Sequence, residues 1–311
     1  MYIMKNLYSF VSNPVLIAYN AAKEISGATN GRYQKRMETI QKFFEEYDKA
    51  VKLNAMLLEI FWIMLVKCLC VTKLTGKLTG FFSLSTSPLL NKFCEARKKC
   101  DKLICKHCFS IKQLDNVIYK ALMLCLETNS IILNNILIPT KYLAMVKFNA
   151  PLGYGRIESH GDVATVTCAM NYINFVIAHP DVLFTVWSKN LAIWDKAFRA
   201  LGKPENLTYT FSSEKVNEMS MIPKEYQWFI DHRFTCYDID YAKAHNIKIN
   251  CGHYDSEYRE ISHRCKHCML CYDKKNLAVF DIFELVKGEK PIKKAPKKVR
   301  EAFLKAVNKA A

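Results

Sequence analysis

GRIESHGDVATVTCAMNYINFVIAHPDVLFTVWSKNLAIWDKAFRALGKPENLTYTFS, residues 155–212, is the stretch on which the fold turns. Short runs rich in β-branched and aromatic residues, Arg156–Ser159, Val182–Trp187 and Leu207–Phe211, alternate with two longer runs, Val166–Ala178 and Leu191–Leu201, whose apolar residues recur at helical spacing. A helix between two strands carries the chain back across the sheet, so the next strand starts in the same direction and the sheet is parallel. Two further strands are expected at Arg233–Tyr237 and Ile247–Asn250. The fold class is therefore α/β, with about five strands in a partial barrel or an open wound sheet.

In either architecture ligands gather where the carboxyl ends of the strands meet their loops. The polar residues at those ends are Glu158, Ser159, His160, Gly161 and Asp162; Ser188, Lys189 and Asn190; Ser212, Ser213 and Glu214; Tyr237 and Asp238; and Asn250, Cys251 and Gly252. Asp162 also suits the N-cap of the helix that follows it.

Outward from this core, the chain reads as helical from about Pro14 to Leu69, with Met37, Ile40, Phe43, Phe44 and Tyr47 forming an apolar stripe. Thr75–Ser87 turns polar and glycine-bearing, which places a boundary there. The expected organisation is an N-terminal helical appendage over 1–74, a cysteine-rich α/β domain over 75–288 and a lysine-rich tail over 289–311. The apolar run Ala55–Val71 is interrupted by Glu59 and Lys67 short of a membrane span and is read as a buried helix.

The formal net charge of +16 favours nucleic acid or other anionic partners, although a solvated basic surface gives the same number. Met1–Asn13 does not have the form of an export signal, so a reducing, cytoplasmic setting is expected, the host cytoplasm for a phage-encoded chain. In that setting 13 cysteines point to metal or redox chemistry rather than disulfides.

Two groups of cysteines stand out. Cys265, Cys268 and Cys271 form C-x2-C-x2-C, with Cys251 upstream at the end of an expected strand. Two-residue gaps let successive thiolates turn toward one centre, a spacing used by iron–sulfur clusters and accepted by zinc. His263 and His267 are interleaved with them, as solvated loop residues or as a substitute zinc ligand. The other group is Cys94, Cys100, Cys105 and Cys108, and counting residues does not choose between Cys94 and Cys100 as the partner of the last two. The choice matters, because three thiolates leave one iron of a [4Fe–4S] cluster open and four close it. Cys68, Cys70, Cys125, Cys168 and Cys236 sit in apolar or helical contexts and read as small core residues.

At Leu84-Ser85-Thr86-Ser87 through Asn91 and Cys94, Ile104-Cys105-Lys106-His107-Cys108-Phe109-Ser110, Arg156 with Gly161-Asp162, Trp187-Ser188-Lys189-Asn190, Pro204-Glu205-Asn206-Leu207 with Ser212-Ser213, and Ile249-Asn250-Cys251-Gly252 with the final cysteine triplet, the chain resembles the gene-product-eighty-eight-like proteins of phages and prophages. The resemblance covers about Gly76–Lys287. It implies a metal-binding protein of unassigned activity, with Cys94, Cys105 and Cys108 as the first ligand set and Cys100 as an addition.

Two functions follow as expectations. One is a radical-S-adenosylmethionine-like enzyme: a [4Fe–4S] cluster on the first cysteines, the cofactor contacted by Glu158, His160, Gly161, Asp162, Lys189 and Asn190, and an auxiliary cluster on the second set. The other is a non-enzymatic module in which zinc or iron–sulfur centres staple the core and a basic face meets nucleic acid or a protein. No Walker loop, HExxH helix or GxSxG elbow is present to suggest other catalysis.

Overall fold

The protein is described by a computed structural model over residues 55–251 and, beyond them, 254, 257, 259, 265–272, 274, 280–286, 296–298, 301, 302 and 305. The apolar stripe expected over Tyr33–Leu53, His263, and most of the basic tail lie outside the described residues.

The chain enters with helix α1 (Ala55–Lys67), then the short antiparallel ribbon of β1 (Val71–Lys73) and β2 (Phe82–Leu84). The cysteine-bearing segment follows with α2 (Lys92–Lys98), α3 (Phe109–Leu114), α4 (Lys120–Asn135) and the single turn α5 (Thr140–Leu143). Then come β3 (Tyr154–Ile157), α6 (Val166–Ile177), β4 (Leu183–Ser188), α7 (Leu191–Leu201), β5 (Leu207–Ser212), β6 (His232–Tyr237), α8 (Ile239–Ala244), α9 (Cys265–Cys268) and β7 (Phe280–Leu285). The strands lie side by side in chain order, and every pair from β2 to β7 is parallel.

The α/β class and the strand–helix alternation of 155–212 are as expected, with each element end within two residues of its reading. Other expectations are corrected. The sheet has seven strands rather than five: β1, β2 and β7 are gained and Ile247–Asn250 is lost, with Phe82-Ser83-Leu84 hidden in a stretch whose Gly76 and Gly80 read as a linker. The boundary placed near residue 75 therefore falls between two paired strands, and Phe61, Trp62, Leu65 and Val66 of α1 are buried in the same core as the sheet. Ile247–Asn250 is not a strand. The Asn250 side chain instead takes the place of a ladder partner, accepting from Phe283 N at 2.7 Å and donating to Asp281 O at 2.7 Å on β7. Among the described residues no helix is long and apolar enough to cross a membrane.

Side chains alternate across a strand, and the two faces differ. On one face Phe82, Ile157, Phe184, Val186, Leu207 and Tyr209 are buried against Tyr172 and Phe175 of α6 and Trp194 and Phe198 of α7. On the other stand Arg156, Thr185, Trp187, Thr210, Phe234, Cys236 and Glu284, a more polar set. Thr165 caps α6 by accepting from Cys168 N at 3.1 Å, so the N-cap falls there and not on Asp162.

The sheet is curled. Lys77, between β1 and β2, forms an ion pair with Glu284 on β7, and five strand spacings of about 4.8 Å would hold them far apart if the sheet were flat. The polar face is thus the concave one. The turn Leu270–Tyr272 packs on it against β4 and β5, and Tyr272 Oη donates to Gly155 O at 3.0 Å.

Candidate metal centre

A cavity of about 200 Å³ opens at the carboxyl ends of β3, β4 and β5, and Cys94, Cys105 and Cys108 all line it. Cys94 rides on α2, whose N-cap Asn91 accepts from Phe93 N at 3.0 Å and donates to the Asp162 carbonyl in the loop after β3. Cys105 lies in a 3-10 turn, Ile104–His107, and Cys108 immediately precedes α3. That turn is tied to the loop after β5: Ile104 N donates to Glu214 O at 2.8 Å, and the Arg97 guanidinium meets the Glu214 carboxylate at 2.7 Å. Three thiols from a fifteen-residue stretch are thereby fixed by bonds to two distant loops. Cys100 is exposed at the intervening turn and does not line the cavity.

Burial pushes the Cys94 thiol well up, and the nearby Asp162 and Glu158 carboxylates and the other two thiols push it the same way. Burial also raises Cys105, against the pull of Lys189 and Arg97. Protonated, buried thiols crowded with acids are costly to ionise in water-poor surroundings, and a cation bound among them reverses that balance.

Glu158, His160, Gly161, Asp162 and Lys189 line the same cavity, whereas Asn190 does not. The carboxylates are held from behind. Glu158, buried and in the left-handed region at φ 54°, accepts from Thr86 N at 3.0 Å, from Thr86 Oγ1 and from Tyr172 Oη at 2.7 Å. Burial raises its pKa to about 7 against those hydrogen bonds. Asp162 accepts from Val163 N and Lys189 N, both at 2.8 Å, and from Ser188 Oγ, so it staples the loop after β3 to the loop after β4. Asn190 is a latch between the same loops, its amide donating to Val163 O at 3.1 Å. Gly161 is required by close approach: a Cβ there would stand 2.8 Å from Thr86 O and 3.1 Å from Glu158 Oε2.

Among the site residues expected from the sequence, those that face the cavity with capacity to spare are His160 and Lys189. Lys189 Nζ donates to Ser212 Oγ at 2.8 Å. His160 is half-buried, its Nδ1 has no hydrogen-bond partner among the described residues, and burial with the nearby Arg156 charge pushes its pKa down to about 4. Arg156 and Trp187 also line the cavity and were not picked out as site residues. Their signal was available in principle: an arginine and a tryptophan at inward-facing positions of neighbouring strands.

The second cysteine set lies on the concave face. Cys265 and Cys268 occupy the single-turn helix α9, Met269 turns the chain at φ 53°, and Cys271 falls in the next turn. Burial raises Cys271 to about 12, the Cys268 and Cys265 charges add to the rise, and Arg156 opposes it. Lys77 lies within electrostatic reach of both Cys251 and Cys265. Cys251 is placed by its N–H, which donates to Phe283 O at 3.0 Å on β7. Cys236 projects from β6 on the same face, where burial raises it to about 12 and Glu284 adds to the rise. Cys68, Cys70 and Cys168 are buried, whereas Cys125 and Cys236 are partly buried.

Among the described residues no group of three or more His, Cys, Asp or Glu side chains is placed so that it could hold a single metal ion. Zinc needs such convergence at about 2.3 Å from sulfur, whereas the thiolates of a cluster bind separate iron corners and stand further apart. Comparison with protein-family models, curated proteins and solved structures finds no match to this chain.

Proposed function

We propose that the chain is an iron–sulfur protein of phage or prophage type and a radical-S-adenosylmethionine-like enzyme, with Cys94, Cys105 and Cys108 as ligands of a [4Fe–4S] cluster. The observation that carries the reading is that these three thiols, and not Cys100, share a cavity at the carboxyl ends of parallel strands. Three soft sulfur donors lining one cavity fit a cluster with one iron left open. When reduced, such a cluster supplies an electron to the sulfonium of S-adenosylmethionine and cleaves it.

The chain's own residues have separable tasks. Lys189, whose ammonium is held toward the cavity by Ser212, is placed to pair with a carboxylate. Glu158 and Asp162 act chiefly as positioning groups, since three hydrogen bonds already engage each carboxylate. Each keeps acceptor capacity for an ammonium. Asp162 and Asn91 lock the loops of β3, β4 and the cysteine segment together, which fixes the thiols against the cofactor's polar groups. The set Cys251, Cys265, Cys268 and Cys271 holds an auxiliary centre on the concave face.

The test is anaerobic purification and reconstitution followed by iron, sulfide and zinc analysis, then incubation with dithionite and S-adenosylmethionine. The reading expects about eight irons with matching sulfide and formation of 5′-deoxyadenosine. One or two zinc ions without sulfide would replace it with the non-enzymatic module, whose basic surface would bind nucleic acid with an affinity falling steeply in salt.

A further inference from the structure

We propose that Arg156, His160 and Trp187 form an oxyanion-binding subsite in this cavity, so that the substrate carries a carboxylate or phosphate group. The inference rests on the cavity being the reaction site proposed above and adds the chemical class of what enters it.

Arg156 differs from every other described arginine. Arg97, Arg199, Arg233 and Arg259 each meet a carboxylate, of Glu214, Asp195, Asp281 and Glu257 respectively. Arg156 makes no ion pair or hydrogen bond among the described residues, and its Nε is buried without a partner. What it does make is a stack: its guanidinium lies 4.4 Å from the centroid of the Trp187 ring. Trp187 is itself braced against Phe234, with ring centroids 4.3 Å apart. Stacking holds the guanidinium plane in place and leaves its N–H edges free for a bidentate acceptor.

Two further nitrogens in the same cavity lack partners, Trp187 Nε1 and His160 Nδ1. An indole N–H only donates, and a neutral imidazole can donate from Nδ1. Leaving buried donors unmet is costly, and an acceptor-rich group entering the cavity that all three residues line would relieve that cost. The nearest carboxylates do not meet these donors: Glu158 and Asp162 accept from Thr86, Tyr172, Val163 and Lys189 instead. Lys189 is also spoken for, by Ser212 and by the cofactor carboxylate assigned to it, so the Arg156 group is a separate anchor.

The experiment titrates full-length, anaerobically reconstituted protein with inorganic phosphate and, separately, with malonate, following Trp187 emission and heat of binding. Trp187→Phe assigns the optical signal. Saturable binding of either anion is expected, weakened about tenfold or more in Arg156→Met. A smaller loss is expected in Arg156→Lys, which keeps the charge without the planar fork. Which anion binds more tightly separates a phosphate from a carboxylate substrate. Circular dichroism establishes that the variants are folded, and Arg156→Lys decides if Arg156→Met is not.

No saturable binding, or binding unchanged in a folded Arg156 variant, overturns the proposal. So does complete displacement of the anion by S-adenosylmethionine, which would assign the three donors to the cofactor's own carboxylate. Oxyanion binding that persists in protein unable to cleave S-adenosylmethionine would remove the radical-enzyme reading and leave the subsite standing.

Discussion

The two cysteine sets are built on opposite plans. Cys94, Cys105 and Cys108 sit at the rim of the sheet, where loops after β2, β3 and β5 are cross-linked by Asn91–Asp162 and Arg97–Glu214. They open onto a cavity with buried acids nearby. Cys265, Cys268 and Cys271 lie on two short turns inside the curve of the sheet, where Lys77 and Arg156 favour the Cys265 thiolate and Arg156 that of Cys271. The first arrangement leaves room beside the thiols for a reacting molecule. The second surrounds its thiols with compensating cations and touches both margins of the sheet, through Lys77 before β2 and Cys251 beside β7. On the proposed reading identical donor atoms would serve an open site in one place and an auxiliary centre in the other, with surrounding charge and access marking the difference.

Serine substitutions break this comparison most sharply. Cys94→Ser, Cys105→Ser and Cys108→Ser should each lower bound iron from about eight to about four per chain and abolish cofactor cleavage. Cys100→Ser should leave both unchanged. Loss of iron in the Cys100 variant equal to that in the other three would mean a closed, four-thiolate site and would remove the open-iron assignment.

A smaller effect is expected from the other region. Lys77→Met leaves Glu284 unpaired at a largely buried position and releases the contact across the sheet margins. A loss of about 3 kcal/mol in urea unfolding is expected, with the first centre's iron retained. Iron lost equally from both centres would show that the two regions do not load independently.

Gly161→Ala probes the rim. The added methyl must displace the Thr86 carbonyl or Glu158, at a cost of about 2 kcal/mol in unfolding free energy. Cofactor affinity should fall with it. An unchanged urea midpoint would show that the packing between the loops after β2 and β3 has slack.

An effect of similar size is the pH response of His160. Its folded pKa of about 4 lies below the ordinary 6.5, so between those values the unfolded chain binds more protons and stability falls as the pH drops. Glu158, raised to about 7 from 4.5, works in the opposite sense, its contribution being lost as the pH rises across that range. A difference between wild type and His160→Gln, both metal-free, isolates the histidine. The wild type should lose about 2 kcal/mol more than the variant between pH 6.5 and pH 4, after allowing for partial exposure of the ring. Parallel pH profiles would show that the ring is hydrated in the folded chain.

Much of the frame was legible in the chain itself. The alternation over 155–212 needs only local periodicity, and Leu191–Leu201 is a helix with the ends that its spacing predicts. The C-x2-C-x2-C run likewise confines Cys265, Cys268 and Cys271 to successive turns wherever the segment lies. Three-residue β2 carries too few alternations to be distinguished from a linker, and Asn250 imitates a strand through its side chain. Their roles exist only once β3 and β7 lie alongside. The choice between Cys94 and Cys100 was equally beyond counting, because both lie within reach of Cys105 along the chain. What the structure adds is placement: Asn91 and Arg97 bind loops 71 and 117 residues away, and Cys94 lines the cavity while Cys100 stays in solvent. Short-range order follows from the spacing of side chains, whereas the company each sulfur keeps depends on contacts that form only when distant segments have packed.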